Sequence, residues 1–331
     1  MKKSMDLNKI DVVITWVDGN DKAWQAEKEK YLPLRSDKVR YRNWDNVQYI
    51  FRGIEKFMPW VNCVHFVTWG HLPKWMNTNY EKLHVVNHKD FIPKEYLPTF
   101  NSNAIELNLH RIPGLSENFI NFNDDMFVIA PTKPNDFFEN GLPKDMAVIS
   151  PSPVKREIIA NIEMNNIGII NDHFNVKDIY KHRKKWFNFR YGKYIVRTLI
   201  FSKFNTILGI FEPHIPFSYK KSTFAKVWEV EHEALDATCR NKTRAKNDVN
   251  QWLFRQWQIM TGDFEPRRWD FGLLTSAGPD DEKIINILRK PGKIKMLCIN
   301  DTTKVSDFEK SKHAINTALE QLLPEKSKFE N

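Results

Sequence analysis

Four apolar, β-rich runs of this chain each end in a cluster of small polar groups, and that pattern constrains the architecture more than any other feature. The runs are residues 10–17 (IDVVITWV), 83–87 (LHVVN), 118–123 (NFINFN) and 294–299 (IKMLCI). They lead into Asp18-Gly19, His88-Lys89-Asp90, Asp124-Asp125 and Asn300-Asp301. Residues 63–69 and 146–149 also read as buried strands. After the first strand, Val47, Ile50, Phe51, Ile54 and Phe57 recur at helical spacing, with Asp45 or Asn43 placed to cap and Pro59 just beyond the end. Strand, helix, strand in that order predicts an α/β fold, a mainly parallel Rossmann-like sheet flanked by helices. Ligands of such sheets bind outside the carboxyl ends of the strands. A single Asn or Asp there could simply serve a turn. Four clusters together predict a site on one rim.

Residues 1–150 therefore read as an α/β half that carries the ligand. From 151 to 245 the chain is richer in charge and aromatics, as in a basic, mainly helical insertion. Residues 246–323 return to helices and a strand that complete the core. Val249, Leu253, Trp257 and Met260 form one helical stripe behind an Asn247-Asp248 cap, and Ser306 and Glu309 are spaced as a capping box for a last helix. The tail 324–331 is polar and expected to fray.

A formal charge of +9 points to anionic partners. Much of the excess is local: Lys177 to Lys203 holds nine Lys or Arg and one acid, interleaved with Trp186, Phe187, Phe189, Tyr191 and Tyr194. Such a stretch is either a solvated face or a surface for phosphorylated polymer or anionic lipid headgroups. No nucleic-acid-binding motif accompanies it, so nucleic acid is not expected. Cys63, Cys239 and Cys298 are scattered and odd in number, which suits a reducing compartment. The start, with Lys2 and Lys3 followed by polar residues, is a poor export signal, and no run reaches the about 18 apolar residues of a spanning helix. A cytoplasmic protein is expected, either free or peripheral at the inner face of the plasma membrane.

Asn123-Asp124-Asp125 follows a strand directly, and carboxylates there suit a divalent cation bridging to phosphate oxygens. Asp124 and Asp125 are the candidate ligands. Upstream, Asn103 stands as an N-cap, and Glu106 either completes a capping box with it or faces the cleft beside Asp124. His214, between Pro213 and Pro216, is the best-placed general base among ten histidines. Arg244 is either a surface arginine or a phosphate clamp.

Together these blocks resemble the Stealth family of sugar-phosphate transferases, which includes bacterial capsule phosphotransferases and the animal enzyme that tags lysosomal hydrolases with GlcNAc 1-phosphate. Four regions carry the resemblance over about 290 residues: IDVVITWVDGND at Ile10–Asp21, Arg42 to Val128 with LPTFNSNAIE and NFINFNDDMF, Ser150 to Trp228 with His214-Ile215-Pro216, and Asn247-Asp248 through Cys298-Ile299-Asn300-Asp301. The resemblance implies a glycosyltransferase-A-like fold in the first half. It also implies catalytic roles for Glu106, Asp124, His214 and Arg244. Trp16, Asp18, Arg52, Asn103, Asn123, Asn300 and Asp301 would bind the donor, with Mg²⁺ or Mn²⁺ as cofactor. The expected reaction moves a hexose 1-phosphate from a UDP-sugar to a hydroxyl of an oligosaccharide or polysaccharide acceptor. Two rivals are a glycosyltransferase that releases UDP and a non-catalytic protein that binds polyanions or membrane.

Overall fold

The apolar runs near the start of the chain pair side by side, as their order predicts. β1 (Ile10–Thr15), β2 (Val64–Thr68), β3 (Leu83–Asn87) and β4 (Asn118–Asn123) are parallel and lie in the order β3-β2-β1-β4. This is a computed structural model, and it describes residues 9–31, 42–152 and 154–331. The start of the chain, Met1 to Asn8, lies outside the described residues. Ile10 to Ile14 and all of β2 are buried, as strands covered on both faces must be.

The helix Val47–Phe57 covers one face of this sheet with Ile50, Phe51 and Ile54 fully or nearly fully buried. A Cβ on Gly53 would lie 2.6 Å from the Val128 carbonyl oxygen, so glycine lets the helix press onto the chain there. Asn46 occupies the cap position of this helix instead of Asp45 or Asn43, and the Asn43 side chain accepts from the Asp45 N–H one step earlier.

Beyond β4 the chain turns through Asp124 and Asp125 into β5 (Met126–Val128). β6 (Phe138–Glu139) and β7 (Leu142–Asp145) follow, so a strand precedes the expected run 146–149, which makes only an isolated bridge from Ile149 to Ile210. Residues 151–245 are mainly helical as expected, but they also supply β8 (Phe217–Lys220), antiparallel to β4 at the sheet edge. Phe217 and Tyr219 are both buried there, which seals the edge.

Last come β9 (Glu265–Pro266), β10 (Gly272–Ser276) and β11 (Met296–Asn300). β11 runs parallel to β10 and antiparallel to β5, forming a second sheet, while β6, β7 and β9 form a third. The architecture is α/β with a parallel core flanked by helices. The fourth polar cluster, at the end of β11, thus belongs to a different sheet from the other three. It still reaches the same place, because antiparallel pairing sets the end of β11 against the start of β5, and the Ile299 N–H donates to the Asp125 carbonyl.

Two helix starts and the tail depart from expectation. The helix Trp252–Thr261 begins after Gln251, and Asp248 is used elsewhere; Asp307, not Ser306, caps the helix Phe308–Leu322 by accepting from the Lys310 N–H. The tail does not fray. Phe329 is buried against Phe51 and Tyr80, Asn331 N–H donates to the Trp75 carbonyl, and Glu330 meets Arg52. One aromatic residue in a polar tail is enough to anchor it.

Candidate active site

The parallel register sets the ends of β1 and β4 side by side, with Thr15 opposite Asn123, and Thr68 opposite Asn87 on the next pair. The β4–β5 turn continues that rim from the strand beside the edge strand β8. Asp124 and Asp125 are turn residues, so neither is bound to the alternation of a strand.

Glu106 enters from the helix Ser102–Leu107. Asn101, not Asn103, caps this helix, by accepting from the Asn103 N–H, so the capping box expected between Asn103 and Glu106 is not formed. Glu106 is 4% exposed. Burial pushes its carboxyl up to about 7; the Arg244 charge opposes the rise, and Asp125 and Asp124 add to it. Asp124 is exposed in the turn. The protein mass around it and the neighbouring Asp125 charge push its carboxyl up to about 7 as well. Glu106 therefore feels one guanidinium and two carboxylates, and Asp124 feels Asp125.

Arg244 is held by Ser102, whose hydroxyl oxygen accepts from Nε at 2.9 Å and from a terminal nitrogen at 2.5 Å. Its loop is tied down by Asp248, which is buried and accepts from the side chains of Asn101, Asn103 and Asn241 and from the Ala245 N–H. Asn103 thereby braces the Arg244 loop through its bond to Asp248.

His214 sits in the left-handed region at φ 47°, a strained conformation for a non-glycine residue. Its N–H donates to Glu212 Oε1 at 3.1 Å, and its ring meets Trp252 edge-on. Glu212 is held in turn by Arg255, which also grips Asp145 through two nitrogens at 2.8 Å. One ligand atom each from Asp125, His214 and Cys298 lies within 4.8 Å of the others. The Cys298 thiol donates to Asp125 Oδ2 at 3.3 Å, and burial together with the Asp125 charge holds its pKa well above the ordinary thiol value. Cys298 was missed in the sequence. Its place at the end of an apolar strand, two residues before Asn300, was the available signal.

Oδ1 of Asp125 and Oδ1 of Asn123 are buried and have no hydrogen-bond partner among the described residues. Orphaned oxygens beside an excess of carboxylates fit a divalent cation.

The remaining expected donor contacts divide. Trp16 stacks on Phe66 at 5.4 Å and meets His71 edge-on; burial keeps His71 below its ordinary pKa, and its Nε2 accepts the Asp18 N–H at 2.7 Å. Both residues stand on the rim at the end of β1. Asn300 is exposed at the end of β11. Asp301 is engaged by Arg42 through two bonds of 2.5 and 2.8 Å. Arg52 does not face the rim ligands: it is taken by Glu330, Glu320 and the Leu323 carbonyl, and so clamps the tail.

Residues 8–35 match Stealth protein CR1, conserved region 1, and residues 40–145 match Stealth protein CR2, conserved region 2. A capsular polysaccharide phosphotransferase of Streptococcus pneumoniae is 42% identical over 98% of this chain and 99% of its own. A receptor polysaccharide phosphotransferase of Streptococcus gordonii is 42% identical over 98% of this chain and 99% of its own. An exopolysaccharide phosphotransferase of Lactiplantibacillus plantarum is 38% identical over 97% and 96%. Among solved structures, a galactosyltransferase in complex with donor and acceptor sugar analogues aligns with a TM-score of 0.40 at 8% identity, over 93% of this chain and 95% of that one. With identity at this level along nearly its whole length, the chain belongs to the Stealth family of polysaccharide phosphotransferases.

Proposed function

We propose that this enzyme transfers a hexose 1-phosphate from a UDP-sugar to a hydroxyl of a capsular or extracellular polysaccharide. The observation that carries the reading is the meeting of Glu106, Asp124 and Asp125 with Arg244, beside His214, at the strand ends. Phosphoryl transfer asks a protein mainly to position its reactants and to offset charge, and this pocket offers groups for both.

The Trp16–Asp18 end of β1 would receive the nucleotide, with Asn123 and Asn300 nearby on the rim. Arg244, braced by Ser102, would grip the diphosphate. Asp125, with Asp124 beside it, would hold a Mg²⁺ or Mn²⁺ ion, whose charge offsets that of the diphosphate. His214 would accept the proton of the acceptor hydroxyl as that oxygen bonds to the phosphorus attached to the sugar. The bond from that phosphorus to the bridging oxygen breaks, UMP leaves, and a phosphodiester remains. Residues 151–245, which carry His214, would form the acceptor side. The three free cysteines support a reducing, cytoplasmic setting.

The nucleotide released from a panel of UDP-sugars with an oligosaccharide primer tests this directly. UMP together with a primer carrying one added sugar phosphate is expected. Release of UDP with a glycosidic product would replace the proposal by ordinary glycosyl transfer.

A further inference from the structure

The helix Ile195–Phe201 is built inside out. Its buried residue is Thr198, whose hydroxyl accepts the Ile149 N–H at 3.2 Å. Val196, Leu199 and Ile200 point outward instead and are 50–54% exposed. At about 100° per residue these three share one arc of roughly 100°, opposite Thr198. A helix that served only the core would be turned the other way.

The neighbourhood extends the pattern. Thirteen large hydrophobic side chains are exposed among the described residues, and six of them fall between Tyr180 and Phe204, with Phe189 the most exposed at 85%. Such crowding marks a docking face and not a random scatter. Along the same stretch, Lys177, Lys181, Arg183, Lys184, Lys193, Arg197 and Lys203 are exposed. The one acid of the stretch, Asp178, is already bonded to Lys181.

We propose that this face docks on an anionic lipid bilayer, with the apolar arc entering the headgroup region and the cations of the same stretch on lipid phosphates. The charge argues against the other occupants. A second copy meeting this face through the same face would bring two sets of seven cations together. A polyanionic polymer would satisfy the cations but has no use for Val196, Leu199 and Ile200.

The face is also joined to the site. Tyr194 packs on Phe211 at 4.8 Å, and the Arg197 guanidinium lies over both rings. Phe211 is three residues before His214. Docking would therefore hold the His214 loop at the membrane surface. The inference stands on surface chemistry alone and survives if the reaction proposed above is wrong.

Flotation of the full chain with vesicles tests it. We expect the protein to float with phosphatidylglycerol–phosphatidylcholine vesicles, to stay behind with phosphatidylcholine alone, and to be released progressively by salt. Leu199→Asp with Ile200→Asp should weaken the bound fraction by about tenfold or more at unchanged melting temperature, with a smaller loss in Lys203→Glu. No flotation with anionic vesicles at low salt would overturn the proposal. So would normal flotation of the double Asp variant, which would leave a purely electrostatic surface. Light scattering that showed a dimer of the parent chain, made monomeric by the same double variant, would assign the face to self-association instead.

Discussion

Two clusters of charge in this fold differ in their balance. Around Arg255, which is fully buried, two carboxylates face two guanidiniums: Arg255 holds Asp145 and Glu212, and Arg267 lies over the Phe271 ring close to the same acids. That cluster has as many cations as carboxylates, although the Arg267 guanidinium nitrogens find no hydrogen-bond partner among the described residues. Around the β4–β5 turn, Glu106 feels Arg244 on one side and Asp124 and Asp125 on the other, and two oxygens there lack partners among the described residues. Surplus buried charge is costly and persists only where something else offsets it. Glu106 and Asp124, with carboxyls pushed up to about 7, can hold protons near neutrality, and Glu212 of the first cluster is raised in the same way. The two clusters thus differ in charge balance and not in how fully their polar atoms are hydrogen-bonded.

The largest expected effect lies in the cluster with surplus carboxylate. Asp125→Asn or His214→Ala should each lower turnover by roughly 10³-fold while the melting temperature stays within a few degrees. Turnover near that of the parent chain in either variant would break the comparison.

Arg255→Leu makes the converse case. It leaves Asp145 and Glu212 buried without their partner and should cost about 3–5 kcal/mol of stability in denaturant titration. A variant of unchanged stability would remove Arg255 from the structural class.

A third cluster, Arg52 with Glu330 and Glu320, sharpens the contrast because its guanidinium is fully engaged by its own acids and the Leu323 carbonyl. Burial alone would raise the Glu330 carboxyl, but hydrogen bonds from Arg52 and Ser327 hold it below its ordinary value. Its contribution is therefore complete above the usual carboxylate range and fades as pH falls through that depressed value. Glu330→Gln should cost about 1–2 kcal/mol at neutral pH, with the difference closing in acid. Thermal melts of both proteins between neutral and strongly acidic pH would show it, and a gap that persisted in acid would refute it.

The smallest effect concerns Cys298. A thiol beside Asp125 and His214 adds a soft donor to an otherwise hard set. Cys298→Ser should leave turnover with Mg²⁺ within a few-fold and weaken binding of Zn²⁺ or Co²⁺, measured by calorimetry. Equal affinity for the soft ions in both proteins would place the thiol outside the ligand set.

The strands β1 to β4, the helix Val47–Phe57 and the rim where polar clusters collect follow from patterns that neighbouring residues impose on each other, and all were legible in the chain. The pairing of Glu106 with Asp124 and Arg244 was also within reach, through its resemblance to a family. Which of two adjacent polar residues does a job was not. Asn101 took the cap from Asn103, Asn46 from Asp45, and Asp307 from Ser306, each choice depending on a geometry that local spacing leaves open.

Periodicity of apolar residues thus determined the sheet, because burial of a strand or helix face is decided within a few residues. Only the folded chain decided that Arg52 clamps a tail 278 residues away, that Asn103 braces Arg244 through Asp248, and that Cys298 joins Asp125 across 173 residues. A polar group takes whichever partner the fold brings within about 3 Å, and nothing in the local chain records who that will be.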